Sequence, residues 1–239
     1  LTGKMTQFQP TRFNYLPPVI KNLLIINGLV FLATLAFPGL LEKFALYFPT
    51  SPDFQPYQIV THMFTHADLG HIFFNMFSLW MFGAVLENVW GPKRFLIFYL
   101  ITGLGAAFLH MGFNAYELYT AVGTLNPDVI ITGETISGNY SQHQLQEIIS
   151  SFAPTVGASG AVYGILVAFG LLFPNTLIYL YFLLPIKAKY LMIIFIAIEV
   201  YMGFVNSPTD NIAHFAHLGG ALFGFLLVKY WGRNKTRFY

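Results

Sequence analysis

The stretch that decides the class of fold runs from Leu69 to Leu86, LGHIFFNMFSLWMFGAVL, without one Asp, Glu, Lys or Arg. Crossing ~30 Å of hydrocarbon at ~1.5 Å of helical rise per residue takes about 20 residues, so an uncharged apolar run of this length is expected to span a membrane. The run still carries His71 and Asn75, four residues apart and therefore on one face of a helix. Polar side chains are expensive in lipid and are kept there for a reason.

Further uncharged runs flank this one: Asn22 to Leu41, Phe95 to Tyr116, Ile148 to Ile186 and Ile212 to Val228. Another, Tyr190 to Phe204, holds a single charge, Glu199. Pro174-Asn175 interrupts the longest, because proline cannot continue a helix. The β-branched and aromatic segment Thr176 to Pro185 reads as an extended connection. The pattern predicts an all-α membrane protein of six transmembrane helices, near 20–38, 69–88, 93–113, 158–173, 188–205 and 212–230.

Composition agrees. Of 239 residues, 56% are hydrophobic and only 9% charged, against about 25% charged in soluble domains. Twenty-two charges and 26 Phe cannot cover a soluble surface of this size. Disorder is excluded by the apolar, aromatic content. The lack of Cys excludes a disulfide scaffold and thiol catalysis. A net charge of +2, scattered along the chain, does not suit nucleic acid. Residues 1–20 lack the pattern of a cleavable signal peptide.

Charge also orients the spans. With the N-terminus in the cytoplasm, eleven of the twelve Lys and Arg residues fall inside and only Lys43 outside, the positive-inside pattern. Both termini are then cytoplasmic. Residues 1–18 are expected to form a cytoplasmic segment, 19–230 one six-helix domain, and 231–239 a cytoplasmic tail. The connection of about 114–154 is long, polar and external, with a short helix expected around Gln142 to Ser150.

Three polar clusters lie near the external ends of predicted helices. Gly157-Ala158-Ser159-Gly160 opens the fourth, where free backbone N–H groups and the helix dipole favour a negative oxygen. Alone it reads as a serine cap with small-residue packing. The second, His214-Phe215-Ala216-His217-Leu218-Gly219-Gly220, opens the sixth. Gly220 and Gly224 form a small-residue face that lets another helix approach. A neutral imidazole beside that face can take a serine's proton, and spacing alone does not choose between His214 and His217. The third is His66 with His71 and Asn75, whose side chains could donate to an oxyanion or merely clamp two helices.

A zinc site built from several histidines is the weaker reading, since no Cys and no suitably placed carboxylate accompany them. No metal and no cofactor are expected. The shared depth of the three clusters favours one catalytic site made of nucleophile, base and oxyanion donors. No Asp or Glu is obviously placed to orient the histidine, so the expectation is a Ser–His dyad rather than a triad.

On these residues, His66-x4-His71-x3-Asn75, Gly157-x-Ser159-Gly160 and Ala216-His217-x2-Gly220, the chain resembles the rhomboid family of intramembrane serine proteases. The resemblance covers about Val19 to Tyr230. It implies that Ser159 is the nucleophile and His217 the base, and that His71, Asn75 and the Ser159 N–H form the oxyanion site. It further implies supporting roles for His66, Gly157 and Gly160, with the Tyr163 ring packed on the catalytic imidazole. Glu87 and Gly91 match a structural motif of the family. The implied partners are transmembrane segments of other proteins and membrane lipids, and the implied location is a bacterial inner membrane. The alternative is a silent relative that escorts membrane proteins without cutting them. Such relatives typically lack the serine or the histidine, and here both stand. A transporter would require paired intramembrane charges or inverted repeats, and only Glu199 fits.

Overall fold

The computed structural model describes residues 13–132, 135–180, 183–205 and 213–233. The predicted start of the last helix at Ile212, most of the N-terminal segment and the tail beyond Arg233 lie outside them. The long helices are α1 (Pro18–Ala36), α2 (Leu69–Trp90), α3 (Pro92–Val122), α4 (Ser159–Leu172), α5 (Ala188–Val205) and α6 (His214–Arg233). Among the described residues, α1, α2, α3 and α5 are long and apolar enough to cross a membrane. At ~1.5 Å per residue the fourteen-residue α4 is only about 21 Å long.

The bundle is apolar on the outside. α1 exposes Ile25, Leu29, Leu32 and Leu35, and α5 exposes Tyr190, Ile193, Ile198, Tyr201 and Phe204. In water these faces would drive aggregation, whereas in a bilayer they meet lipid. The chain is a multi-pass membrane protein. At the centre stands α4, with nine of its fourteen residues buried. The main core combines α4 residues Ala161, Val162, Ile165 and Phe169 with Leu79, Phe82, Phe95, Phe98 and Tyr99. Two polar side chains within the spans donate to their own helices: Asn27 to the Leu23 carbonyl and Thr102 to the Phe98 carbonyl. Lipid leaves no other solvent for them.

α6 lies directly against α4. A methyl on Gly220 would overlap the backbone carbonyl of Gly160, and one on Gly224 would press on the backbone of Gly164 at 2.8 Å. Hydrogen in place of a side chain therefore sets the distance between the two helices. At the opposite end of α6, Trp231 packs edge-on against Trp90, with the Arg94 guanidinium 4.8 Å over its ring. Glu87 sits nearby, its two oxygens accepting the N–H groups of Val19 and Ile20 at 3.0 and 2.9 Å. These are among the unpaired donors of the first turn of α1, where the dipole favours an anion.

Two connections differ in character. Within the connection Thr176 to Pro185, which the sequence predicts to be extended, Leu177–Leu180 pairs antiparallel with Leu184–Lys187. α3, by contrast, does not stop at 113. It continues to Val122 and is about 46 Å long at ~1.5 Å per residue. The extra turns have a packing reason. With Phe48 of the first loop and Ile148 of the short helix Gln142–Phe152, Leu118 forms a second small core. That short helix is closed at its start by a reciprocal Ser141–Gln144 capping box. The long connection is thus partly folded onto an extension of α3.

Candidate active site

Ser159 is the first residue of α4, so its backbone N–H has no acceptor within the helix. The approach to it is tightly held. Gly157 has φ of +128°, a conformation that L side chains rarely adopt, and its N–H donates to the His62 carbonyl at 2.9 Å. The Ala158 N–H points at His66 Nε2 at 3.5 Å. Thr155 exchanges both backbone hydrogen bonds with Leu46 and meets His110 Nε2 through its hydroxyl at 2.9 Å. Three separate segments therefore fix where the serine begins its helix.

His66 is fully buried, and with Nε2 facing a donor its proton belongs on Nδ1. Burial, reinforced by the neighbouring His71, pushes its pKa down to about 3. His62, whose Nδ1 meets the Gln58 carbonyl at 2.8 Å, is pushed down by burial to about 4. Both rings are neutral structural groups at physiological pH.

The Ser159 hydroxyl oxygen lies 2.8 Å from His217 Nε2, across the α4–α6 contact. The Tyr163 ring, one turn along α4, stacks on the His217 imidazole with centroids 4.3 Å apart and planes within 10°. Of the two histidines that spacing did not separate, His217 faces the serine, whereas His214 Nδ1 bonds Glu199 Oε2 at 2.6 Å.

His71 and Asn75 enter from α2, whose start is capped by the Asp68 carboxylate accepting the His71 N–H at 2.8 Å. A methyl on Gly157 would stand 2.7 Å from His71 Nε2 and 3.5 Å from Ser159 Oγ, so both atoms border one small space. The His66 and His71 rings meet edge to face, with centroids 5.0 Å apart. Asn75 is buried, and its side-chain amide donates to the His71 carbonyl at 3.0 Å. One of its hydrogens is therefore committed to its own helix in this state.

Glu199 of α5 is the group whose setting the sequence did not disclose. Its carboxylate accepts the Tyr163 hydroxyl and His214 Nδ1, and Oε2 lies 3.0 Å from His217 Nδ1. The helix-to-helix bond that an intramembrane acid suggests is present. The expectation that no carboxylate is placed to orient the histidine is corrected: one stands behind it. Glu199, His214 and His217 also each offer a ligand atom within 4.8 Å of the others, a grouping the sequence could not show. Only the adjacency of α5 and α6 creates it.

The architecture defines a class of protein: a polytopic helical membrane protein whose interior brings a serine hydroxyl from one helix to an imidazole on another. Residues 53–234 match the family model described as the rhomboid domain, and the chain belongs to the rhomboid family. It is 28% identical over 223 residues to RHOMBOID-like protein 12, mitochondrial, of Arabidopsis thaliana, covering 92% of this chain and 60% of that one. Rhomboid protease GluP of Bacillus subtilis is 26% identical over 186 residues, 75% of this chain and 27% of the relative. Presenilin-associated rhomboid-like protein, mitochondrial, of Homo sapiens is 26% identical over 220 residues, 88% and 48% respectively. The chain thus spans between about a quarter and three fifths of these relatives' lengths.

Proposed function

We propose that this chain is an intramembrane serine endopeptidase that cuts transmembrane segments of other membrane proteins. The observation that carries the reading is the 2.8 Å approach of Ser159 Oγ to His217 Nε2 inside an apolar bundle. That distance lets the imidazole take the hydroxyl proton as the oxygen attacks a peptide carbonyl. The Ser159 N–H, with His71 and Asn75 beside it, would hold the resulting oxyanion, Asn75 turning its amide away from the His71 carbonyl to do so. His217 then gives the proton to the departing amine, and a water activated in the same way releases the acyl group from Ser159. Tyr163 holds the imidazole plane, while His66, Gly157 and Gly160 set the backbone around the serine.

Depth supports the substrate class. α4 is about 9 Å shorter than ~30 Å of hydrocarbon, so a serine at its start can lie below the membrane surface. A helical substrate hides its carbonyls in hydrogen bonds, so a locally unwound segment is needed. The charge pattern supports an N-terminus in the cytoplasm, a total of six spans and a site facing the opposite side. Our reading of the location is a bacterial inner membrane; fractionation of source cells tests it, and recovery with mitochondria would overturn it. The direct test of the activity is cleavage of a model transmembrane substrate in liposomes. Wild type should cut it, and Ser159→Ala and His217→Ala should each remove turnover with the fold retained. Full activity in either variant rejects the reading.

A further inference from the structure

We infer that Glu199 is a positioning residue that turns the serine–histidine pair into a triad, with its carboxylate holding His217 in the tautomer that can act as base. The inference rests on the protease reading above. Its basis is which atom Glu199 reaches. A neutral imidazole carries one proton on either nitrogen, and only with that proton on Nδ1 is Nε2 free to accept from Ser159. Nε2 is the atom 2.8 Å from Ser159 Oγ, and Nδ1, on the far side of the ring, is the atom 3.0 Å from Glu199 Oε2. The two contacts approach the ring from opposite sides, as the division of labour requires.

The carboxylate is itself held by two hydrogen bonds from neighbouring helices. Tyr163 donates its hydroxyl to Oε1, and His214 Nδ1 bonds Oε2 at 2.6 Å. Tyr163 belongs to α4, His214 and His217 to α6, and Glu199 to α5, so two neighbouring helices hold one side chain only 5% exposed. A buried carboxylate is tolerated when donors surround it in this way. In this state the His217 Nδ1 contact has the distance of a hydrogen bond but not its angle. Catalytic hydrogen bonds are often poorly aligned before substrate arrives. When the Ser159 proton moves to Nε2, the ring becomes a cation with a proton on each nitrogen, and the carboxylate beside Nδ1 stabilises that charge. The same proton leaves on the amine, so Glu199 neither gains nor loses one over the cycle.

The test uses the full chain in detergent, with Glu199→Gln and Glu199→Asp variants. A carboxamide keeps the shape, with its oxygen toward the histidines; it removes the charge and, with its NH2 donating to the Tyr163 oxygen, reverses the direction of that one hydrogen bond. Glu199→Gln should lower kcat on the order of 10²-fold with KM unchanged within twofold, and Glu199→Asp should recover part of it. Independently of turnover, nitrogen NMR of the labelled His217 ring should show wild type protonated at Nδ1, with that proton strongly deshielded. The deshielding should fall in Glu199→Gln. Unchanged kcat in Glu199→Gln, or a ring protonated at Nε2 in wild type, overturns the inference. A wild type that cuts nothing but keeps a carboxylate-dependent Nδ1–H would overturn the protease reading and sustain the positioning role.

Discussion

A hydrogen atom where most residues carry a methyl keeps the space between Ser159 and His71 open. In Gly157→Ala the new methyl would sit 2.7 Å from His71 Nε2, on a backbone whose φ of +128° already resists it. We predict a fall in cleavage rate of roughly 10- to 100-fold with a smaller loss of thermal stability, since displacements of about 1 Å suffice for that. Initial rates and melting of the same preparation would check it, and an unaltered rate would contradict it. His62 and His66 make a separate prediction. Their folded pKa values, about 4 and about 3, lie below the unfolded value of about 6.5. The unfolded chain therefore binds protons that the folded chain refuses. Stability from these groups is complete above pH ~6.5 and is lost as pH falls toward the folded values, by up to about 1.4 kcal/mol per pH unit for each. Melting temperatures of wild type and His66→Gln between pH 7 and pH 4 should converge as pH falls; parallel curves would reject the assignment.

Between helices, the decisive contact is Gly220 against the Gly160 carbonyl. Gly220→Val must push α6 off α4, and we expect a loss of about 1–3 kcal/mol in a detergent melt together with loss of cleavage. Retained activity would mean that the serine and histidine do not depend on this seam. The small-residue face was readable from the sequence because Gly220 and Gly224 recur at helical spacing, and so was the pairing of His71 with Asn75. The span of α3 was not. Asn114 and Glu117 look like the end of a membrane helix, but polarity ends a span and not a helix; packing of Leu118 on Phe48 and Ile148 carries α3 on to Val122. Glu199 was visible as an intramembrane acid while its partners were not. They come from α4 and α6, and periodicity along one helix says nothing about which neighbours it will have.

For the molecule as a whole, the sequence placed residues 13–16, the α2–α3 turn and the end of α6 on one side of the bundle. In the structure Asn14 donates to Asn88 at 3.0 Å, and Trp231 meets Trp90, at the end away from Ser159. Glu87 braces that end by capping α1 from 67 and 68 residues away in sequence. Glu87→Ala would leave two donors without their carboxylate, and we expect a cost of about 1–3 kcal/mol in a detergent melt with the serine–histidine contact unchanged. A wild-type melting curve would contradict the brace. Cleavage by this chain requires Ser159 to be an activated nucleophile, and covalent labelling measures that directly. A fluorophosphonate probe applied to the folded chain in detergent, followed by peptide mass mapping, should modify Ser159 and no other serine. The label should disappear in His217→Ala. An unmodified Ser159 in the folded wild-type chain, or equal labelling without His217, would contradict it.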